Sequence, residues 1–265
     1  MPDFNISEIM QTLDECLEEA GAILMSHHCR LESFELKSEI DLVTIADKES
    51  EAAIVKRILE RFPDHGILGE EGSFSVPGSC GVRWIIDPLD GTTNFAHGMP
   101  IFAVSIGVEA NGKIVAGGVY NPFMKEKFTA VAGGGSFLNG QPIRVSGVKL
   151  MRDSLLVSGF PYDRRERADH YLTAWKAMMS GVHGVLRLGS AALDLCYVAA
   201  GRMEGFWEEK LNPWDTAAGY LIVKEAGGRV TDFSLGEFGV YQPELLATNG
   251  HIHEEMRGVL IKAWE

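Results

Sequence analysis

Paired cysteines are missing from this chain. Its four cysteines, Cys16, Cys29, Cys80 and Cys196, lie far apart and form no C-x-x-C pair. That excludes a disulfide framework and a zinc knuckle; Cys16 and Cys196 sit in helical patterns and read as small core residues. No apolar stretch approaches membrane-spanning length, and no basic-then-apolar leader opens the sequence. A cytoplasmic protein is the expectation. Positive charge is scarce: 24 basic residues face 37 acidic ones, for a formal charge of −13. Such a surface repels nucleic-acid phosphates, so direct nucleic-acid binding is not expected. No basic stripe or cationic amphipathic helix points to a membrane. The run from Gly133 to Gly140 lacks the Gly-Lys-Ser/Thr ending of a nucleotide P-loop and reads as turns.

What is present is a chain of 265 residues, 46% hydrophobic and 23% charged, enough to bury a substantial core. Apolar spacing predicts helices over about Ile6–Met25 and Ala46–Arg61. Strands follow at Gly66–Gly69, Val82–Asp87, Phe102–Glu109, Lys113–Tyr120 and Glu126–Ala132, with Asn111-Gly112 as a hairpin turn. Beyond about Ser146 strands alternate with helices at Arg165–Met179, Ser190–Ala200, Trp214–Ala226 and His251–Lys262. The expectation is an α+β half over residues 1–146 and an α/β half over 147–265. With no linker between them, the two would form one integrated unit sharing a site at their junction.

The segment from Trp84 to Phe95, WIIDPLDGTTNF, carries the most chemistry. A buried strand delivers Asp87 and, past Pro88, Asp90 into one small volume. Two carboxylates there are costly unless a cation neutralises them, and a hard oxygen-seeking ion such as Mg²⁺ is the natural partner. The Asp90-Gly91-Thr92-Thr93 turn opens backbone N–H groups toward an anion. Asp-Gly is also an ordinary turn dipeptide, so the weight lies in its company. Glu70 and Glu71 follow a strand, and Asp215 follows Pro213-Trp214 at a helix start. Together these oxygens suffice for two or three Mg²⁺ ions, as two-metal phosphoryl transfer requires. Thr44-x-x-Asp47 is a helix capping box, and Asp47 can serve in addition as a proton acceptor beside Thr92. His27-His28 and His251-Ile252-His253 match no metal-binding spacing and are expected at the surface.

These residues resemble the inositol monophosphatase family. The resemblance runs from about Asp41 to Gly228 and rests on Asp41-Leu42-Val43-Thr44-x-x-Asp47, Gly69-Glu70-Glu71, the Trp84–Phe95 segment, and Pro213-Trp214-Asp215-x-Ala217-Ala218-Gly219. It implies a layered αβαβα sugar-phosphatase fold of the kind shared with fructose-1,6-bisphosphatase, a homodimer, and Mg²⁺-dependent, Li⁺-sensitive phosphate monoester hydrolysis. By the same resemblance Glu70, Asp87 and the Leu89 carbonyl would hold one Mg²⁺. Asp87, Asp90 and Asp215 would hold a second, and Glu70 would help with a third. Thr92 and Asp47 would activate water, with Glu70 part of that catalytic group, and the Gly91 and Thr92 N–H groups would hold phosphate. Asp90, Gly189, Ser190, Ala191 and Glu208 would meet the substrate alcohol, with Ser190 standing where the family often has Thr. Lys37 stands one residue short of the family's loop-lysine spacing to Asp41.

The implied substrate is a small phosphorylated polyol or sugar, inositol 1-phosphate first. Fructose 1,6-bisphosphate, alone or as a second activity, and then histidinol phosphate are the alternatives. A scaffold or regulatory protein on the same fold is the non-enzyme alternative. Against it stands the full acidic set, because paired charges left without an ion are destabilising.

Overall fold

The computed structural model describes residues 5–28, 35–36, 42–72, 76 and 78–265. Asp41, Lys37 and Cys29 lie outside them. The helices are α1 (Ile6–His27), α2 (Ile45–Arg61), the single turn α3 (Thr92–Ala96), α4 (Ala168–Met179), α5 (Ala191–Ala199), α6 (Pro213–Glu225) and α7 (His253–Trp264). A short antiparallel pair, β1 (Glu35–Leu36) and β2 (Leu42–Val43), precedes α2.

The first sheet has seven strands in sequence order: β3 (Gly66–Gly69), β4 (Val82–Asp90), β5 (Ala103–Ala110), β6 (Lys113–Asn121), β7 (Glu126–Val131), β8 (Gly135–Leu138) and β9 (Gln141–Ile143). Only β3 and β4 run parallel. The second sheet contains β10 (Leu155–Ser158), β11 (Gly184–Leu186), β12 (Gly205–Glu209), β13 (Arg229–Thr231) and β14 (Glu244–Thr248), in the spatial order β11-β10-β12-β14-β13.

Alternation along the strands builds the layers. On β4, Trp84 and Ile86 join the core under α1 and α2, while Ile85 faces the opposite core with α5 and α6. On the second sheet, Val157, Phe206, Leu245 and Ala247 face that same central core. Their neighbours Leu156, Trp207 and Leu246 face α4 and α7. The result is helices, sheet, helices, sheet, helices, the αβαβα arrangement that the resemblance implied.

The central layer is tight because small residues allow it. A Cβ added to Gly107 on β5 would stand 2.6 Å from the Cβ of Ala217 on α6 and 3.2 Å from its backbone. One on Gly117 of β6 would meet the Ala218 Cα at 3.0 Å. Helix α6 therefore rides almost directly on the first sheet, which fixes the height of its N-terminus.

Three sequence expectations need correction. The stretch read as turns around Gly133–Gly140 contributes β8, with β9 pairing beyond it; the turns are real, but each is closed by a strand too short for periodicity to reveal. Strand β4 does not stop at Asp87 but continues to Asp90 through a register shift, since Pro88 without an N–H is tolerated at such a bulge. His28 and His253 are buried rather than superficial. His28 packs among Phe95, Phe102 and Phe123, and the two ring nitrogens of His253 meet the Thr231 and Thr248 hydroxyls at 2.9 Å each.

Gly107→Val should destabilise the protein by about 1–3 kcal/mol through overpacking, read as a lower urea midpoint. An unchanged midpoint would show that α6 and the first sheet can part without cost.

Candidate active site

The bulge between Asp87 and Asp90 is where the chemistry collects. Asp87 is 2% exposed, and its Oδ1 accepts the Leu89 N–H at 3.0 Å, a local loop that turns the strand end inward. Asp90 reaches across to the second half of the chain. Its Oδ2 accepts the Ser190 hydroxyl at 2.6 Å and the Ala192 N–H at 2.8 Å, at the first turn of α5. Asp215 is held at the start of α6 by the Asn212 N–H, 2.7 Å from its Oδ2.

Gly91 follows with φ of 89°, a backbone setting that favours glycine. A side chain there would also strike the Ile101 carbonyl at 2.9 Å. The turn then opens α3, tied in place by Asn94, whose Nδ2 donates to the carbonyls of Ile101 and Leu188 at 2.8 Å each. The Thr92 hydroxyl lies 3.0 Å from the Leu89 carbonyl and 3.4 Å from Asp47 Oδ1. Its single proton can satisfy one acceptor fully at a time.

Asp47 does two things. Its Oδ2 accepts the Thr44 N–H at 2.8 Å and the Thr44 hydroxyl at 2.6 Å, closing the capping box of α2. Its other oxygen turns to Thr92. Glu71 takes no part in the cleft; its N–H donates to Glu51 Oε1 at 3.2 Å.

A cleft of about 280 Å³ brings Glu70, Asp87, the Leu89 segment, Asp90 and Asp215 together with Gly91 and Thr92. The same cleft is lined by Gly189, Ser190, Ala191 and Glu208, along with Arg187 and Asp194. Asp47 reaches this space only through Thr92. Glu208 lies against the Gly159 backbone, where a Cβ would overlap its carboxylate.

Crowding sets the electrostatics. Burial, then the charges of Glu70, Asp90 and Asp215, push the Asp87 carboxyl well above the usual carboxylate range. Burial and then Asp90 do the same to Asp215. Burial raises Asp90 to about 6, opposed by its Ser190 and Ala192 bonds. It raises Asp47 to about 7 against the two Thr44 bonds. Glu208 is raised to about 8, by burial and then Asp90, with Arg187 opposing.

The donor set is all oxygen. Among the described residues no three His, Cys, Asp or Glu side chains close into a metal cage by themselves. Hard cations, however, complete their shells with carbonyls and water. Buried carboxylates that repel one another around a shared space fit such an ion in their donor chemistry and in their need for positive charge.

Comparison with known proteins decides the family. A model described as the inositol monophosphatase family matches residues 5–265. The chain belongs to the inositol monophosphatase family. It is accordingly a phosphoric monoester hydrolase, in a family that is generally metal-dependent. It is 40% identical over 257 residues to an inositol-1-monophosphatase of Rhizobium meliloti, covering 96% of each chain. It is 44% identical over 222 residues to a Pseudomonas aeruginosa protein named Nus factor SuhB, covering 81% of this chain and 82% of that one. The solved inositol monophosphatase of Anabaena superposes with a TM-score of 0.89 at 40% identity, covering 98% of this chain and 97% of that one.

The site residues named from the sequence within the described region line the cleft, apart from Asp47 behind Thr92 and Glu71, which stands outside it. Sequence reasoning missed Arg187, Asn94 as a tether, and Asp194. Asp194 had a signal: it is the one acid in the apolar helix run Ala191–Ala200. In the structure it is 1% exposed and its Oδ1 has no hydrogen-bond partner, an arrangement that costs roughly 1–3 kcal/mol.

The raised carboxyl groups fix a sign for stability. Between pH 6.5 and 8.5 unfolded Asp and Glu are ionised, while folded Asp47 and Glu208 still hold protons up to about 7 and 8. The native state then binds more protons, so stability falls as pH rises. His253, with its pKa lowered to about 4, is neutral in the folded state throughout this window. Thermal unfolding in EDTA should therefore give a lower Tm at pH 8.5 than at pH 6.5. Added Mg²⁺ should raise Tm more at the higher pH. A Tm that rises with pH in EDTA would contradict the crowding described above.

Proposed function

We propose that this chain hydrolyses the phosphate monoester of a small polyol in a Mg²⁺-dependent reaction, with inositol 1-phosphate as its substrate. The observation that carries the reading is the single cleft in which the carboxylates of Glu70, Asp87, Asp90 and Asp215, the Gly91–Thr92 turn, and Gly189, Ser190, Ala191 and Glu208 meet.

In this reading Glu70, Asp87 and the Leu89 carbonyl hold one Mg²⁺; Asp87, Asp90 and Asp215 hold another; and Glu70 contributes to a weaker third. Bound cations would supply Lewis-acid charge neutralisation at the phosphoryl and ester oxygens and lower the pKa of water. The residues of the chain do the rest. The Thr92 hydroxyl, poised between Asp47 and Leu89, takes a proton from the attacking water as its own passes to Asp47. Buried Asp47 is suited to that role because its proton affinity lies near neutrality. The N–H groups of Gly91 and Thr92 hold phosphate oxygens, where developing charge is best stabilised. Gly189, Ser190, Ala191 and Glu208 meet the alcohol, and Ser190 also keeps Asp90 oriented.

A homodimer, Li⁺ sensitivity and a cytoplasmic setting complete the reading. The unpaired Cys16, Cys80 and Cys196 fit a reducing compartment. The similarity to a protein named Nus factor SuhB supports a second role as a binding component alongside catalysis.

Phosphate release should be measured with Mg²⁺ on inositol 1-phosphate, fructose 1,6-bisphosphate, histidinol phosphate and phosphoadenosine phosphate. The inositol ester should be preferred, EDTA should abolish turnover, and Asp90→Asn should cost at least ~10²-fold. Preference for another ester would replace the substrate and keep the chemistry. No turnover on any ester would leave only the binding role.

A further inference from the structure

Helix α5 packs between the two sheets, and nearly all of its residues are apolar and belong to the central core. Asp194 interrupts that pattern. Leucine would fit the surroundings better, so an acid here calls for a reason.

The other acids named around the site have one. Asp47 closes a capping box, Asp87 takes the Leu89 N–H, Asp90 takes two donors from α5, and Asp215 caps α6. Asp194 caps nothing; within α5 that task falls to Ser190, whose Oγ accepts the Leu193 N–H at 3.4 Å. Among the described residues its Oδ1 is the one buried side-chain oxygen or nitrogen without a hydrogen-bond partner. The Arg187 guanidinium attracts the carboxyl through space but does not bond to that oxygen.

The location narrows what the missing donor can be. Asp194 lines the same cleft as Glu208, Arg187 and Gly189, and Glu208 and Asp90 are the charges that act on it most strongly. An acceptor there is suited to an O–H or an ammonium group. Arg187 acts on both Asp194 and Glu208, but burial and the neighbouring acids outweigh it and raise both carboxyl groups; in the polyol-phosphate reading the groups left free on the ligand are neutral hydroxyls. Glu208 already serves one hydroxyl in the reading above.

We propose that Asp194 is a second hydroxyl acceptor for the polyol, selecting esters whose alcohol carries a hydroxyl able to reach the first turn of α5. The inference rests on the polyol-phosphate reading. It makes Asp194 a specificity residue, with no role in the phosphoryl step.

Steady-state kinetics of the Mg²⁺-loaded protein on myo-inositol 1-phosphate and on p-nitrophenyl phosphate, which offers no hydroxyl, test it. Asp194→Leu should raise KM for the inositol ester by about tenfold. It should leave kcat/KM for p-nitrophenyl phosphate within about twofold. Asp194→Asn, which keeps an oxygen acceptor, should recover most of the loss. Equal losses on both esters would make Asp194 a structural residue, and unchanged selectivity would deny the contact; either overturns the inference.

Monodeoxy analogues of the inositol ester give a second test. Removing one ring hydroxyl should cost the unmodified protein about fivefold or more and cost Asp194→Leu almost nothing. If every hydroxyl that matters to the unmodified protein matters as much to Asp194→Leu, the proposal falls. If the unmodified protein does not prefer the inositol ester to p-nitrophenyl phosphate, the polyol reading itself fails and takes this inference with it. If that preference is present and both Asp194 variants retain it, only the inference falls.

Discussion

Mutual repulsion among buried carboxylates is the constraint on which the rest of this structure depends. Asp87 and Asp90 on β4 meet Asp215 from α6, far along the chain, and Asp90 raises the proton affinity of both of the others. Folding alone gains nothing from assembling them; the arrangement becomes favourable when positive charge enters. The fold therefore has to hold these groups rigidly against a force that would separate them. It does so with backbone N–H donors and with a close-packed central layer.

That layer explains why the site lies between the two sheets. The end of β4 supplies Asp87 and Asp90, the starts of α5 and α6 supply the donors for Asp90 and the third carboxylate, and the residues beyond β12 complete the rim. A helix N-terminus offers unpaired N–H groups, and here both inter-sheet helices begin at the cleft. Ser190 and Asn212, as the residues preceding α5 and α6, thus contribute to architecture and site at once.

The acidic part of the cleft was legible in the sequence because most of its residues are local: Asp87, Asp90, Gly91 and Thr92 fall within six positions, and the strand–turn–helix context fixes their directions. The layered fold was legible through resemblance, whereas periodicity gave only its elements. Short strands such as β8 escaped because four residues carry too little alternation to outweigh adjacent glycines. The burial of His28 and His253 escaped because each depends on partners distant in sequence, the phenylalanine cluster and the Thr231–Thr248 pair. Asp194 was visible as an acid among apolar neighbours, but its meaning needed the missing hydrogen bond, which only coordinates supply.

The close seat of α6 on the first sheet has a mechanical consequence. With Gly107 and Gly117 against Ala217 and Ala218, the helix that carries Asp215 cannot rise without opening the central core. The acidic wall and the core thus behave as one rigid body. Freedom to admit an ester and release an alcohol has to reside elsewhere in the cleft lining, where the Tyr162–Arg165 turn and Arg187 are more exposed. Relatives adapted to different temperatures would then diverge in that rim, where changes alter the rate of opening and leave the spacing of the carboxylates untouched.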